Sequence, residues 1–328
     1  MKPIIGILLG DSAGIGPEIV AKTAASGFLL EQCRPIIIGD NRIFEKALQL
    51  IGKSVEHYCI SDIKEADWNK ALPILDQKDQ DPAKIEMAKV QAYCGQSVLD
   101  MIKLSCDFCK QGVIKGICFS PFNKASQKEA GSTHESEMEY FAECLGFRGY
   151  YSELNVISNM MTTRVTSHIP LKDVSSRLTN KNIIDAITLC YTTLQKAGVK
   201  SPRIAVAALN PHSGESGKCG REEIELIEPA IKNAIELGMP ISGPFSADTI
   251  FVRAFSGEFD SVVTLYHDQG QIAIKLKGFE EGVSVMGGLP YPITTPSHGT
   301  AFDIAGKGIA KTTAFEQALK YLVRMAKD

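Results

Sequence analysis

The stretch IIGILLGDSAGIGPEIV, residues 4–20, passes from a short aliphatic run through small residues to Pro17 and a second apolar pattern. An aliphatic run of this length bounded by glycine reads as a buried strand. Proline is preorganised for the first turn of a helix, so the whole stretch reads as strand, tight turn and helix. The same alternation recurs along the chain. Strand candidates follow at PIIIGD (35–40), GICFS (116–120), RIAVAAL (203–209) and SVVTLYH (261–267), and helix-length patterns cover 81–112, 182–197 and 221–237. Continuous apolar strands separated by helices predict parallel sheets covered on both faces, hence an α/β protein of the doubly wound kind.

A chain of 328 residues exceeds the size at which one hydrophobic core stops growing, so two lobes of roughly 150 residues are expected. The composition, 44% hydrophobic and 22% charged, is that of a globular protein. A net charge of −3 with both signs interspersed gives no electrostatic reason to expect nucleic acid or a membrane surface, and points to a small-molecule partner. The first apolar run is broken by Gly6, lacks the shape of a leader peptide and is too short to span a bilayer. Nine cysteines without disulfide-like spacing fit a reducing cytoplasm. The lone C-x-x-C of Cys106 and Cys109 falls on a helical pattern and reads as packing rather than zinc. Gly14 and Gly16 suggest a dinucleotide fingerprint, but its third glycine is replaced by Ile19, and Asp40 closes a strand as aspartates often do. The cluster therefore reads as a structural or substrate-cleft turn.

Three of six histidines follow extended segments: His168 in SHIPLKD, His212 in NPHSGE and His267 in YHDQG. Three imidazoles suit a borderline divalent ion such as zinc. Their spacing means that only the fold can assemble them, and each alone reads more readily as a satisfied structural residue.

The ordered segments GDSAGIGPE, SPFNK, HIPLKDV, LNPHSGESG, GPFSADTIF, YHDQGQIAIK and HGTAFDIAGKG are spread along nearly the whole chain. Together they resemble the 4-hydroxythreonine-4-phosphate dehydrogenase family, which includes relatives acting on threonate or erythronate 4-phosphates and on aromatic dihydrodiols. The resemblance implies two α/β/α lobes with a deep cleft, as in isocitrate and isopropylmalate dehydrogenases, here spanning 1–128 plus 289–328 and 129–288. It implies a homodimer with the active site near the interface. It places a divalent metal (zinc, magnesium, manganese or cobalt) on His168, His212 and His267. NAD or NADP falls to His298, Gly299 and Thr300, with Asp303 close by. The implied reaction is oxidation of a secondary alcohol of a hydroxy acid, continuing into decarboxylation. The family's substrate-contacting lysine matches Lys275, which follows His267 on what reads as one extended segment, where a spacing of eight keeps the same face. Lys124 and Asp248 match cleft positions with supporting polar or acid–base roles.

The chain departs from the family where substrate is gripped. The histidine and threonine of the family's GHTE motif become Glu137 and Met138, and its asparagine and arginine become Ser284 and Ile293. Isoleucine offers neither charge nor donor to a phosphate, and glutamate repels one. A substrate without phosphate is therefore expected, unless Lys124, Lys172 or Lys277 replaces the arginine or His134 the imidazole. The alternatives are a true 4-hydroxythreonine-, threonate- or erythronate-4-phosphate dehydrogenase, a phosphate acyltransferase-like enzyme, or a non-catalytic binding relative. Intact His168, His212, His267 and Lys275 speak against the last two.

Overall fold

The computed structural model describes residues 2–327, except for the side chain of Phe279. The chain divides into two compact units, Met1–Gly149 with Leu289–Asp328, and Tyr150–Gly288. The first division falls at 149/150 rather than the expected 128/129. Helix Glu137–Cys144 belongs with the first unit, because Phe141 packs on Phe119 and Lys110 donates to the Cys144 carbonyl at 3.1 Å.

Strands β1 (Ile4–Leu8), β2 (Arg34–Gly39), β3 (His57–Ile60), β4 (Leu72–Asp76) and β5 (Ile117–Phe119) lie in the first unit. The second holds β6 (Ser152–Ile157), β7 (Met160–Arg164), β8 (Ile204–Ala207), β9 (Ile241–Phe245), β10 (Ser261–Thr264) and β11 (Val283–Gly287), after which β12 (Ile293–Pro296) returns to the first. The first unit's strands run in the order β3-β4-β2-β1-β5-β12, all parallel. Ile7 stands opposite Ile37 and Cys118, and Ile5, Ile7, Leu8 and Ile36 to Ile38 are out of contact with solvent. Burial on both faces explains why these strands are apolar without alternation.

The second unit runs β11-β6-β7-β10-β8-β9. Here the expectation of purely parallel pairing is corrected: β11/β6 and β6/β7 are antiparallel, and only the remaining pairs are parallel. A two-residue turn at Ser158 (φ 52°) and Asn159 joins β6 to β7, the short connection that antiparallel neighbours allow. SVVTLYH is a strand only over Ser261–Thr264, and His267 opens helix His267–Gly278. The pattern over 81–112 resolves into a short turn at Pro82–Lys84 and helix Ala92–Lys110.

The opening glycines serve packing. A Cβ on Gly14 would stand 2.8 Å from the Cβ of Thr300, and one on Gly16 2.7 Å from the Leu9 carbonyl. Asp40 is buried and fully engaged: it caps helix Asn41–Leu50 through Arg42 N, accepts from the Arg42 guanidinium, and accepts from Gln80 N at 2.9 Å. No described helix is long and apolar enough to cross a membrane.

Candidate active site

In the second unit β7, β10, β8 and β9 are successive parallel neighbours, and each carries a candidate residue just beyond its carboxyl end. They are His168, His267, His212 and Asp248 respectively. Ligands of α/β sheets bind outside the carboxyl ends of strands, so residues scattered over 100 positions of sequence (168 to 267) converge by topology. Strands β7 and β10 stay paired past their ends, with Val165 N and Thr166 N donating to the carbonyls of Thr264 and Leu265. This brings the rings of His168 and His267 to 5.7 Å between centroids, at 42°. The start of the His267 helix is pinned by Gln269, which accepts from Leu265 N and donates to the Ala208 carbonyl, both at 2.8 Å.

His212 stands apart from this pair. Residues His212 to Ser216 all have positive φ, a left-handed turn that L-residues enter at a cost of about 1–2 kcal/mol each. Buried Glu223 anchors the chain entering this turn, accepting from Leu209 N and Asn210 N at 2.8 Å and from Asn210 Nδ2 at 2.9 Å. The exposed imidazole bonds Glu215 through Nδ1 at 2.8 Å; that bond and the Glu215 charge raise its pKa, with Asp248 adding to the effect. Among the described residues no group of three His, Cys, Asp or Glu is placed to hold a metal ion. In donor chemistry His168 and His267 fit a borderline divalent ion, with His212 turned to Glu215.

Lys275 lies on the His267 helix, not on an extended segment. At 100° per residue, eight positions carry it about 80° around the axis from His267, so strand parity does not apply. Its side chain is exposed, as is that of Asp248. Ser284, on β11 opposite Asn155, donates to Glu153 Oε1 at 2.7 Å and accepts from Asn155 Nδ2 at 3.2 Å. Arg164 extends the cluster by bonding both Glu153 and Asn155. Burial pushes the Glu153 carboxyl up, but Arg164, Ser284 and Asn155 outweigh it and hold it below the ordinary value. None of Arg164, Glu153 or Asn155 carries a motif; the one sequence signal is an arginine in the otherwise apolar and hydroxyl-bearing run MMTTRVTS.

In the first unit Lys124 opens helix Lys124–Glu129 and comes within 3.9 Å of Glu137, which opens helix Glu137–Cys144, so a cation lies beside that glutamate. Met138 (8% exposed) and Ile293 (0%) are core residues, the latter paired with Ile117 inside the sheet. Neither presents a surface to a ligand as expected of a substrate contact. His134 is engaged by Glu143 at 2.8 Å. Lys172 is exposed, and Lys277 lies over the Phe255 ring. The segment holding His298, Gly299, Thr300 and Asp303 meets the opening glycine turn: Ile15 N donates to the Thr300 carbonyl at 3.1 Å. Beside this junction an apolar cavity of about 150 Å³ is lined by Gly14, Pro17, Ile43, Met87 and Gly306, among others.

A model of the family described as pyridoxal phosphate biosynthetic protein PdxA matches residues 31–322. A protein of Rhizobium meliloti (strain 1021), provisionally named 4-hydroxythreonine-4-phosphate dehydrogenase 2, is 40% identical over 99% of this chain and 94% of its own length. A provisionally named D-threonate 4-phosphate dehydrogenase of Clostridium botulinum is 37% identical over 97% of this chain and 95% of its own. The crystal structure of 4-hydroxythreonine-4-phosphate dehydrogenase from Klebsiella pneumoniae superposes with a TM-score of 0.89 at 32% identity, over 100% of this chain and 99% of that one. With the family model and full-length relatives in agreement, the chain belongs to the PdxA family.

Proposed function

We propose that the chain is a dehydrogenase that transfers hydride from a secondary alcohol of a phosphorylated hydroxy acid to NAD or NADP. The observation that carries this reading is the full-length similarity, at 37–40% identity, to relatives named for such substrates. Where a carboxylate lies β to the new ketone, oxidation continues into loss of carbon dioxide. The cofactor is assigned to His298, Gly299, Thr300 and Asp303, with the adjoining apolar cavity as support for a bound ring. His168 and His267, joined by His212 once it turns away from Glu215, would hold a divalent ion, zinc, magnesium, manganese or cobalt, whose contribution is to polarise the reacting oxygen. Lys275 and Asp248 are assigned proton-handling roles, and Lys124 an electrostatic one beside Glu137. The two units would be the lobes of an isocitrate dehydrogenase-type enzyme. A homodimer is part of the proposal. Ile272 (59% exposed) and Leu276 (83%), one turn apart on the His267 helix, support a second copy covering that face.

A second reading, a substrate without phosphate, is favoured by Glu137, since a carboxylate at the family's histidine position opposes a dianion. The decisive measurement is kcat/KM for 4-hydroxythreonine 4-phosphate, threonate 4-phosphate and erythronate 4-phosphate beside their dephosphorylated forms, with both cofactors and added metal. The main reading expects at least a hundredfold preference for the esters. Equal or reversed preference supports the second reading, and no reduced nicotinamide from any compound overturns both.

A further inference from the structure

A polar chain connects the two facing histidines and has no part in the chemistry proposed above. Arg164 ends β7, and its side chain is 5% exposed. Its Nε donates to Ser167 Oγ at 3.1 Å, its Nη1 to Asn155 Oδ1 at 2.8 Å and its Nη2 to Glu153 Oε2 at 2.5 Å. Asn155 Oδ1 also accepts from Gln271 Nε2 at 2.5 Å. Ser167 immediately precedes His168, and Gln271 lies one helical turn beyond His267. The loop that carries one imidazole and the helix that carries the other are thus tied to a single guanidinium, one directly and one through Asn155. Glu153 fixes the far side of the cluster, its Oε1 accepting from Ser284 and Asn155.

We propose that Arg164 is a positioning residue that sets the separation and orientation of His168 and His267. The inference rests on reading that pair as part of the active site. Arginine suits the role because its planar fork offers five N–H donors in fixed directions, so three partners on different elements can be held at once. Lysine has donors converging on one atom and cannot span Ser167, Asn155 and Glu153 together. A buried charge fully engaged by neighbours is also stiff, which is what two imidazoles needed at a set distance require. If the cluster served stability alone, its loss would lower the melting temperature without moving the rings.

The test uses the full-length chain with 13C-labelled histidine. Arg164→Met, Arg164→Lys, Asn155→Ala and Gln271→Ala are compared with His168→Ala and His267→Ala. Readouts are the ring 1H–13C shifts without added metal, zinc affinity by chelator competition, and kcat and KM. Arg164→Met should move the ring signals of both His168 and His267 and leave those of His57 and His134 in place. It should weaken zinc about tenfold or more, since partners that orient a metal-bound imidazole are worth about 10–100-fold. It should lower kcat more than it changes KM. Arg164→Lys should recover part of the ring shift, and Asn155→Ala and Gln271→Ala should move His267 chiefly. A folded Arg164→Met chain with both ring signals unmoved overturns the proposal. Should that chain fail to fold, unmoved His267 signals in both Asn155→Ala and Gln271→Ala overturn it equally. If His168→Ala and His267→Ala keep full turnover while Arg164→Met still moves the rings, the active-site reading fails and the positioning role stands.

Discussion

Cys144 shows how one residue's chemistry is set by its neighbours. Half-buried at the end of helix Glu137–Cys144, its thiol is pulled down to about 7, chiefly by a hydrogen bond from Cys106, with Tyr140 assisting against burial. Burial instead pushes Cys109, Cys118 and Cys190 up to about 12. Site-resolved iodoacetamide labelling should therefore show Cys144 reacting as pH rises through about 7, with Cys109, Cys118 and Cys190 inert in the folded chain. Cys106→Ala should move that inflection upward; an inflection at the ordinary thiol value in the unmodified chain would contradict the assignment. The C-x-x-C read as packing contains this modulating thiol. Sequence places a residue type at a motif position but not the direction in which its side chain faces. Met138 and Ile293 aligned with substrate contacts and lie in the core because helix and strand turn them inward.

Among the elements, the turn over 212–216 was legible as a loop from Pro211, Gly214 and Gly217, but not as left-handed, because histidine, serine and glutamate rarely choose that conformation. The entry to the turn is anchored by the bonds of Glu223 to Leu209 and Asn210, which are visible only in the fold. At Gly214, with φ 77°, an added Cβ would lie 2.7 Å from Glu223 Oε2 and 3.0 Å from the Gly220 carbonyl. Gly214→Ala should cost about 1–3 kcal/mol in denaturant unfolding, and Glu223→Gln about 1.5–3 kcal/mol through weaker bonds to Leu209 and Asn210. Values near zero for both would mean that the turn is not held as described. The His267 helix was misread for a related reason. QIAIK alternates like a strand, while the bonds of Gln269 to Leu265 and Ala208 that fix the helix start are tertiary.

For the whole molecule, the parallel first unit was largely legible, since each buried strand is a run such as PIIIG that declares itself. The antiparallel β6 and β7 were not, because SELNVI and MMTTR mix polar and apolar residues to serve an internal polar cluster. Against the upward push of burial, Asp40 in the first unit is held below its ordinary value by Arg42 and Gln80, and Glu153 in the second by Arg164, Ser284 and Asn155. A depressed folded value stabilises above the unfolded one and is lost as pH falls through the folded one. The contribution of these two carboxylates to unfolding free energy should hold level from neutral pH to about 5 and decline below about 4.5, where Glu153 would titrate unfolded. Glu153→Gln should flatten that acid limb while lowering stability at pH 7 by about 1.5–3 kcal/mol, because the buried Arg164 loses its charged partner on a side open in part to water. A limb unchanged in the variant would show that other groups govern it. The return of β12 to the first unit also has a consequence during synthesis. When β5 leaves the ribosome its partner β1 is already made, but the neighbour on its other edge is 174 residues away (293 − 119). At about 5–20 residues per second that interval lasts roughly 10–35 s. The second unit, contiguous over Tyr150–Gly288, can emerge whole within it, while Ile117–Phe119 wait with an open edge of the kind that invites pairing with foreign strands. The unit begun first is thus finished last, and its exposure in the cell is set by the speed of elongation through the other.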